Sequence, residues 1–172
     1  MSTSSPTTLF STVTDSPVGA LTIVASHAGL RAILWPGDDP ARVRLVETIE
    51  DPGHPVIAAA VGQLAEYFAG ERIEFDVPLD AVGTDFQRLA WAALRTIAYG
   101  TTVSYGEQAE RMGDRRKARA VGAANGRNPI SIIVPCHRVI GANGALTGFA
   151  GGTDTKAWLL EHEQRHLGSG TV

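Results

Sequence analysis

Residues 104–125 read SYGEQAERMGDRRKARAVGAAN and hold two helix starts separated by one short turn. Ser104 and Glu107 have the S-x-x-E spacing of a capping box, which predicts a helix over Tyr105 to Met112. Gly113 is a stop, Asp114 a second N-cap, and a second helix is predicted from about Arg115 to Asn125. The pair reads as a helix-turn-helix, a motif common enough that it points to DNA only with further support. Composition adds some: Arg111, Arg115, Arg116, Lys117 and Arg119 stand against only Glu110 and Asp114, the signature of a phosphate-binding face. Ala118, Ala120, Gly122, Ala123 and Ala124 would let the second helix bring its backbone close to a groove. A solvated basic face packed through its alanines fits the same residues. Arg119, a long cation among small side chains, could reach into a base stack.

Upstream, Thr84 caps a periodic helix whose stripe of Phe86, Leu89, Ala90, Ala93, Leu94 and Ile97 is predicted to be core, with Gly100 ending it. A domain boundary is expected at Asp80 to Gly83. Before it, Leu21–Ala25 and Leu30–Trp35 read as strands, with turns at Ser16–Gly19 and His27–Gly29. Val56, Ala59, Ala60, Leu64, Tyr67 and Phe68 fall at helical spacing up to Gly70, and Ile73–Val77 alternates like a half-buried strand. The first half is therefore expected to be a small α/β unit built on a β-meander. It assembles no catalytic set, and His27 and His54 are expected on surface turns, so its role reads as structural.

Charge divides the same way. Residues 1–83 carry four arginines against eleven acids, and residues 84–172 carry eleven basic residues against seven acids, behind a net charge of only -3. A second module that meets a polyanion would explain the split, as would a plain charged surface. The plan is an N-terminal α/β domain over 1–83, a C-terminal domain over 84–167 and a tail over 168–172. With 172 residues and 44% hydrophobic content the chain can bury a real core. The first eight residues lack the basic start and apolar stretch of a signal peptide, and no later run reaches membrane-spanning length.

The single cysteine, Cys136, lies in Pro135-Cys136-His137-Arg138-Val139 after the apolar run Ile130–Val134, which reads as a buried strand. A lone thiol beside an imidazole is a candidate nucleophile. It is equally the small buried hydrophobe that most free cysteines are. One cysteine excludes an intramolecular disulfide and any CxxC site, which fits a reducing compartment, and a cytoplasmic location is expected. A thiol near its reference pKa of about 8.5 is mostly protonated at neutral pH, so nucleophilic use requires a base. Adjacent residues of an extended strand face opposite ways, so Cys136 and His137 could cooperate only through a turn at Pro135 or a bridging water.

Several ordered strings carry a family resemblance. Ala118-Arg119-Ala120-Val121-Gly122, Asn128-Pro129, Ile133-Val134-Pro135-Cys136-His137-Arg138-Val139-Ile140, Thr147-Gly148-Phe149-Ala150-Gly151-Gly152 and Lys156-Ala157-Trp158-Leu159-Leu160-Glu161-His162-Glu163 closely resemble the O6-alkylguanine-DNA alkyltransferases, also called methylated-DNA-protein-cysteine methyltransferases. The resemblance implies a ribonuclease H-like N-terminal domain and a mainly α C-terminal domain with a winged helix-turn-helix. It implies a repair protein that moves an alkyl group from O6 of guanine, and from O4-methylthymine, irreversibly onto its own cysteine, once per molecule. Cys136 would be the acceptor, with His137 and Glu163 polarising it through a water and Asn128 ordering the network. Tyr105 would meet the target nucleotide and Arg119 would fill the vacated place in the stack. Arg115, Arg116 and Lys117 would contact phosphates, Ala118 and Ala120 the groove. Val139, Gly148, Phe149 and Ala150 would line the substrate pocket.

The expected partner is double-stranded DNA carrying O6-alkylguanine, with no cofactor, metal or membrane, and with a monomer in solution that could assemble cooperatively on DNA. Cys136 stands where alkyltransferase-like proteins carry tryptophan, and Phe149 where some members have tyrosine. A fused regulatory domain would need a cluster of zinc-binding cysteines that this chain lacks. A non-catalytic DNA-binding regulator would need the helix pair without the thiol, and a cysteine hydrolase would need the thiol without the basic helices.

Overall fold

A computed structural model describes residues 7–43, 45, 47–146 and 149–167. The N-terminal unit is a four-stranded sheet in the order β3-β2-β1-β4, formed by β1 (Phe10–Thr14), β2 (Leu21–Ala25), β3 (Leu30–Leu34) and β4 (Ile49–Glu50). β1, β2 and β3 form the antiparallel meander, and β4 joins β1 in parallel. Alternate positions Leu21, Ile23 and Ala25 are fully buried and pack with Leu30 and Ile33 in the main core. Helix α1 (Pro55–Phe68) adds Ile57, Ala60, Leu64 and Tyr67 to it.

Helix α1 stops at Gly70, whose φ of 79° suits only glycine without strain. His54 is 7% exposed and its Nδ1 accepts from Val56 N, so it is the buried N-cap of α1 and not the surface turn residue expected. Ile73–Val77 is a second correction. It keeps the alternating burial of a strand but pairs with none. The chain there is tied by Gln63, whose side chain accepts from Asp76 N, and sheet-like contact is confined to a bridge between Leu79 and Leu30.

The C-terminal unit starts with α2 (Asp85–Leu94), opened by a full capping box between Thr84 and Gln87 and ending six residues before Gly100. Ala90 and Leu94 are buried as expected, but Leu89 is 62% exposed, and the buried aromatic is Trp91, outside the predicted stripe. Trp91 Nε1 donates to Ala124 O at 2.9 Å, which rotates α2 toward the second helix of the pair.

Helix α3 (Tyr105–Arg111) has the Ser104–Glu107 capping box. The second helix is split. Asp114 caps a 3-10 turn over Arg115–Lys117, and α4 (Ala118–Gly126) follows directly. A buried amide pair locks α3 to α4: Asn125 Nδ2 donates to Gln108 Oε1 at 2.7 Å, and Gln108 Nε2 donates to Asn125 Oδ1 at 3.0 Å and to Ala90 O at 3.1 Å. Satisfied on both sides, the pair fixes helix register where an apolar contact would tolerate sliding. Two-residue strands β5 (Val103–Ser104) and β6 (Val139–Ile140) pair in parallel beside it, and α5 (Thr153–Arg165) closes the unit. Among the described residues no helix is long and apolar enough to cross a membrane.

Candidate active site and basic helix pair

Ile130–Val134 is no strand. It folds into tight turns in which Val134 N donates to Ile130 O, with Ile132 in the left-handed region at φ 73°. Asn128 staples the turn from inside: its Nδ2 donates to Val134 O at 2.8 Å and its Oδ1 accepts from Ile130 N at 3.1 Å. The N-terminal unit holds the same segment from outside. Ile33 N donates to Pro129 O at 2.8 Å, and Arg42 Nη1 donates to the carbonyls of Asn128 (3.0 Å) and Gly126 (3.2 Å) while its other nitrogens pair with Asp38.

After Pro135 the chain makes a 3-10 turn over Cys136–Arg138, the first of the two alternatives left open by the sequence, so neighbouring side chains need not point to opposite faces. Cys136 is 8% exposed and His137 fully buried. His137 Nε2 meets Glu163 Oε2 at 2.6 Å, and Arg138 grips both oxygens, Nε to Oε1 at 2.8 Å and Nη2 to Oε2 at 3.1 Å. Tyr67 donates to Oε2 at 2.7 Å and Gly100 N to Oε1 at 3.2 Å. Burial pushes the Glu163 carboxyl up, but the hydrogen bonds and charges of His137 and Arg138 outweigh it and hold the group well below the usual carboxylate range.

An ionised Glu163 accepts a hydrogen bond from Nε2–H and fixes the tautomer, so Nδ1 is the basic nitrogen of His137. That atom is buried and has no hydrogen-bond partner among the described residues. Burial lowers the proton affinity of the ring, which Glu163 partly restores and Arg138 and Lys156 oppose. Burial likewise pushes the Cys136 thiol up, offset in part by a hydrogen bond from Asn128 and by the charges of Lys156 and Arg42. The resting pair is therefore a neutral thiol and a neutral imidazole.

Lys156, buried on α5, donates to Val139 O at 2.5 Å and lies 6.0 Å from the ring centres of both Tyr105 and Phe149. Its charge also acts on the Cys136 thiol, and it neighbours Phe149 and Val139, expected to line a substrate pocket, and Tyr105, expected to meet the target nucleotide. Val139 is fully buried, Phe149 half-buried against Trp35 at 5.3 Å, and Ala150 exposed. Gly148 lies outside the described residues. Tyr105 opens α3, and its ring faces Gly122, where a Cβ would sit 3.6 Å away.

On the helix pair, Arg119, Ala120 and Ala123 form an exposed strip of α4, with Ala118 half-buried beside it. Arg115 pairs with Glu110 and Arg116 with Asp114, both exposed and each a local ion pair of small worth that a phosphate could displace. Lys117 lies over the Phe86 ring at 5.8 Å.

Two halves of the chain match the halves of one family. Residues 9–81 match the ribonuclease-like domain of 6-O-methylguanine DNA methyltransferase, and residues 85–165 match its DNA-binding domain. The chain belongs to the 6-O-methylguanine DNA methyltransferase family. Among similar members, the methylated-DNA--protein-cysteine methyltransferase of Mycolicibacterium paratuberculosis is 50% identical over 161 residues, which span 88% of this chain and 90% of that one. The Methanosarcina acetivorans protein of the same name is 44% identical over 160 residues, 90% of this chain and 98% of that one. The crystal structure of the Mycobacterium tuberculosis protein in complex with DNA superposes with a TM-score of 0.84 at 49% identity, over 91% of this chain and 94% of that one.

As a methyltransferase-family chain it also carries site residues that sequence reading passed over. Arg138 follows His137 directly, a charged residue at the end of an apolar run, and that placement was the available signal; it is 6% exposed and paired with Glu163. Lys156, Tyr67 and Arg42 gave no such signal. Tyr67 and Arg42 tie the first half to the candidate site, Tyr67 through Glu163 and Arg42 through the carbonyl of Asn128, contacts that the sequence reading of that half did not anticipate.

Proposed function

We propose that the protein repairs alkylated duplex DNA by moving the alkyl group from O6 of guanine to Cys136 Sγ, once per molecule. The observation that carries this is the only cysteine of the chain buried beside His137, whose Nε2 is held by Glu163 so that Nδ1 is left as the base. Relatives at about half identity across nearly the full chain are named for transfer to a protein cysteine, and one was crystallised with DNA.

His137 Nδ1 takes the Sγ proton, directly or through a water, in the step that needs it. The thiolate then attacks the alkyl carbon: the S–C bond forms, the C–O6 bond breaks, and its electron pair passes into the purine. The departing guanine takes up a proton from the Tyr105 hydroxyl, and the proton held by His137 passes through solvent to the Tyr105 oxygen, which restores both side chains to their neutral forms. Lys156 and Asn128 stabilise the thiolate as it forms. O4-methylthymine carries its methyl on an exocyclic oxygen of the same kind and is the second substrate of the same pocket.

A base within the duplex cannot present O6 to a buried sulfur, so the nucleotide must rotate outward. Arg119, exposed among small residues on α4, fills the gap, and the basic segment 115–117 holds the backbone. Arg119→Ala is expected to slow transfer from duplex O6-methylguanine about tenfold or more while leaving transfer from free O6-benzylguanine nearly unchanged. Single-turnover rates on the two substrates check this, and equal losses would overturn the role given to Arg119.

A further inference from the structure

Helix α1 of the N-terminal unit touches α5 at two successive residues through Tyr67, once by its backbone carbonyl and once by its hydroxyl. Tyr67 O accepts from His162 Nε2 at 2.7 Å, and Tyr67 Oη donates to Glu163 Oε2 at 2.7 Å. The Tyr67 ring is fully buried among Phe68, Phe75, Tyr99 and His162, with centroids 5.2–6.2 Å away, so the hydroxyl has no freedom to turn elsewhere.

The oxygen it reaches is the one that holds His137. Oε2 accepts from His137, Tyr67 and Arg138, and Oε1 from Arg138 and Gly100. A carboxylate offers roughly four lone-pair directions, so these donors share a limited charge. We propose that Tyr67 is a positioning residue for the thiol-activating base: its hydroxyl competes with His137 for Glu163 Oε2 and so limits how strongly Nδ1 holds a proton. This rests on the reading of His137 as the base.

Of the other groups facing this pair, Arg138 and Lys156 are cations, Tyr99 is a neutral phenol, and His162 is an imidazole whose proton affinity burial lowers. Arg138 and Lys156 act on His137 beside Glu163, and Tyr99, His162 and Arg138 face Glu163. Arg138 and Lys156 oppose an imidazolium and Glu163 favours one. Tyr67 is neutral too, and burial together with the neighbouring carboxylate keeps its phenol protonated and therefore a donor. Removing its hydroxyl leaves more charge on Oε2 for His137. The proton affinity of Nδ1 then rises, and the acid limb of the pH–rate profile moves to higher pH.

The test is Tyr67→Phe in the full chain, with the rate of Cys136 alkylation by free O6-benzylguanine measured against pH. The limb is expected to rise by about 0.5–1 pH unit, the equivalent of one neutral hydrogen bond. Replacing Tyr67 with 3-fluorotyrosine, which keeps the ring and strengthens the donor, is expected to move the limb the other way and serves if the phenylalanine variant fails to fold. An unmoved limb, with transfer slowed equally at every pH, would reduce Tyr67 to packing and overturn the proposal. Glu163→Gln is the control. If it leaves the wild-type profile intact, the failure lies in the reading of His137 and Glu163 as the base, and not in the part given to Tyr67.

Discussion

Glu163→Ala is expected to lower stability by about 3–5 kcal/mol, because it strands Arg138, a His137 donor and the Tyr67 hydroxyl in a dry interior. A domain of this kind has roughly 5–15 kcal/mol in all, so much of the variant should be unfolded at modest denaturant. Glu163→Gln keeps the volume and one acceptor but not the charge that Arg138 needs, and should fall between the two. The pH dependence separates charge from packing. The folded carboxyl lies below its unfolded value of about 4.3, so its contribution is fully present above that pH and is lost as pH falls through the acid range. Urea midpoints measured from pH 7 downward should therefore drop more steeply for the natural protein than for Glu163→Gln. Parallel slopes would contradict an ionised, hydrogen-bonded Glu163.

His137→Gln is expected to slow alkyl transfer by about 10²–10⁴-fold at neutral pH, the usual worth of a positioned general base. The thiol it leaves behind is pushed up by burial, so almost none of it ionises at pH 7. The deficit should shrink as pH rises toward the thiol's own ionisation, since solvent hydroxide then replaces the missing acceptor. The natural protein should show no such alkaline gain, because a ring held low by burial is already neutral at pH 7. Single-turnover rates with free O6-benzylguanine between pH 6 and pH 10 check both statements. A variant deficit that stays constant across that range would remove His137 from proton transfer.

Much of the helix pair was legible because its signals are local. Ser104, Glu107 and Asp114 cap their own backbones, and Gly113 takes the positive φ that a stop requires. Strands β2 and β3 were legible for a related reason: alternation reports which side of a strand is dry. The same alternation misled at Ile73–Val77, where burial alternates along a chain that pairs with no strand. The run Ile130–Val134 is apolar because it is buried, and burial alone does not separate a strand from a turn held by Asn128. Leu89 has the spacing of a core residue, but what lies across from a helix face is decided by Trp91 reaching Ala124, a contact between distant residues.

The candidate site divides in the same way. Cys136, His137 and Glu163 stood out by residue type within matching strings, whereas the contacts that tune them cross the whole chain. Tyr67 meets Glu163 across 96 positions and Arg42 meets Asn128 across 86. Within its own helix Tyr67 is one more apolar position, and only the hydroxyl at its far end betrays another task.

In the proposed reaction Cys136 itself keeps the alkyl group. Intact-mass measurement after incubation with a duplex holding one O6-methylguanine tests it most directly. A gain of one CH₂ per protein chain is expected, located on Cys136 by peptide mapping, with no second turnover when fresh duplex is added. Loss of the methyl from DNA with no gain in protein mass, or a gain at any other residue, would contradict it.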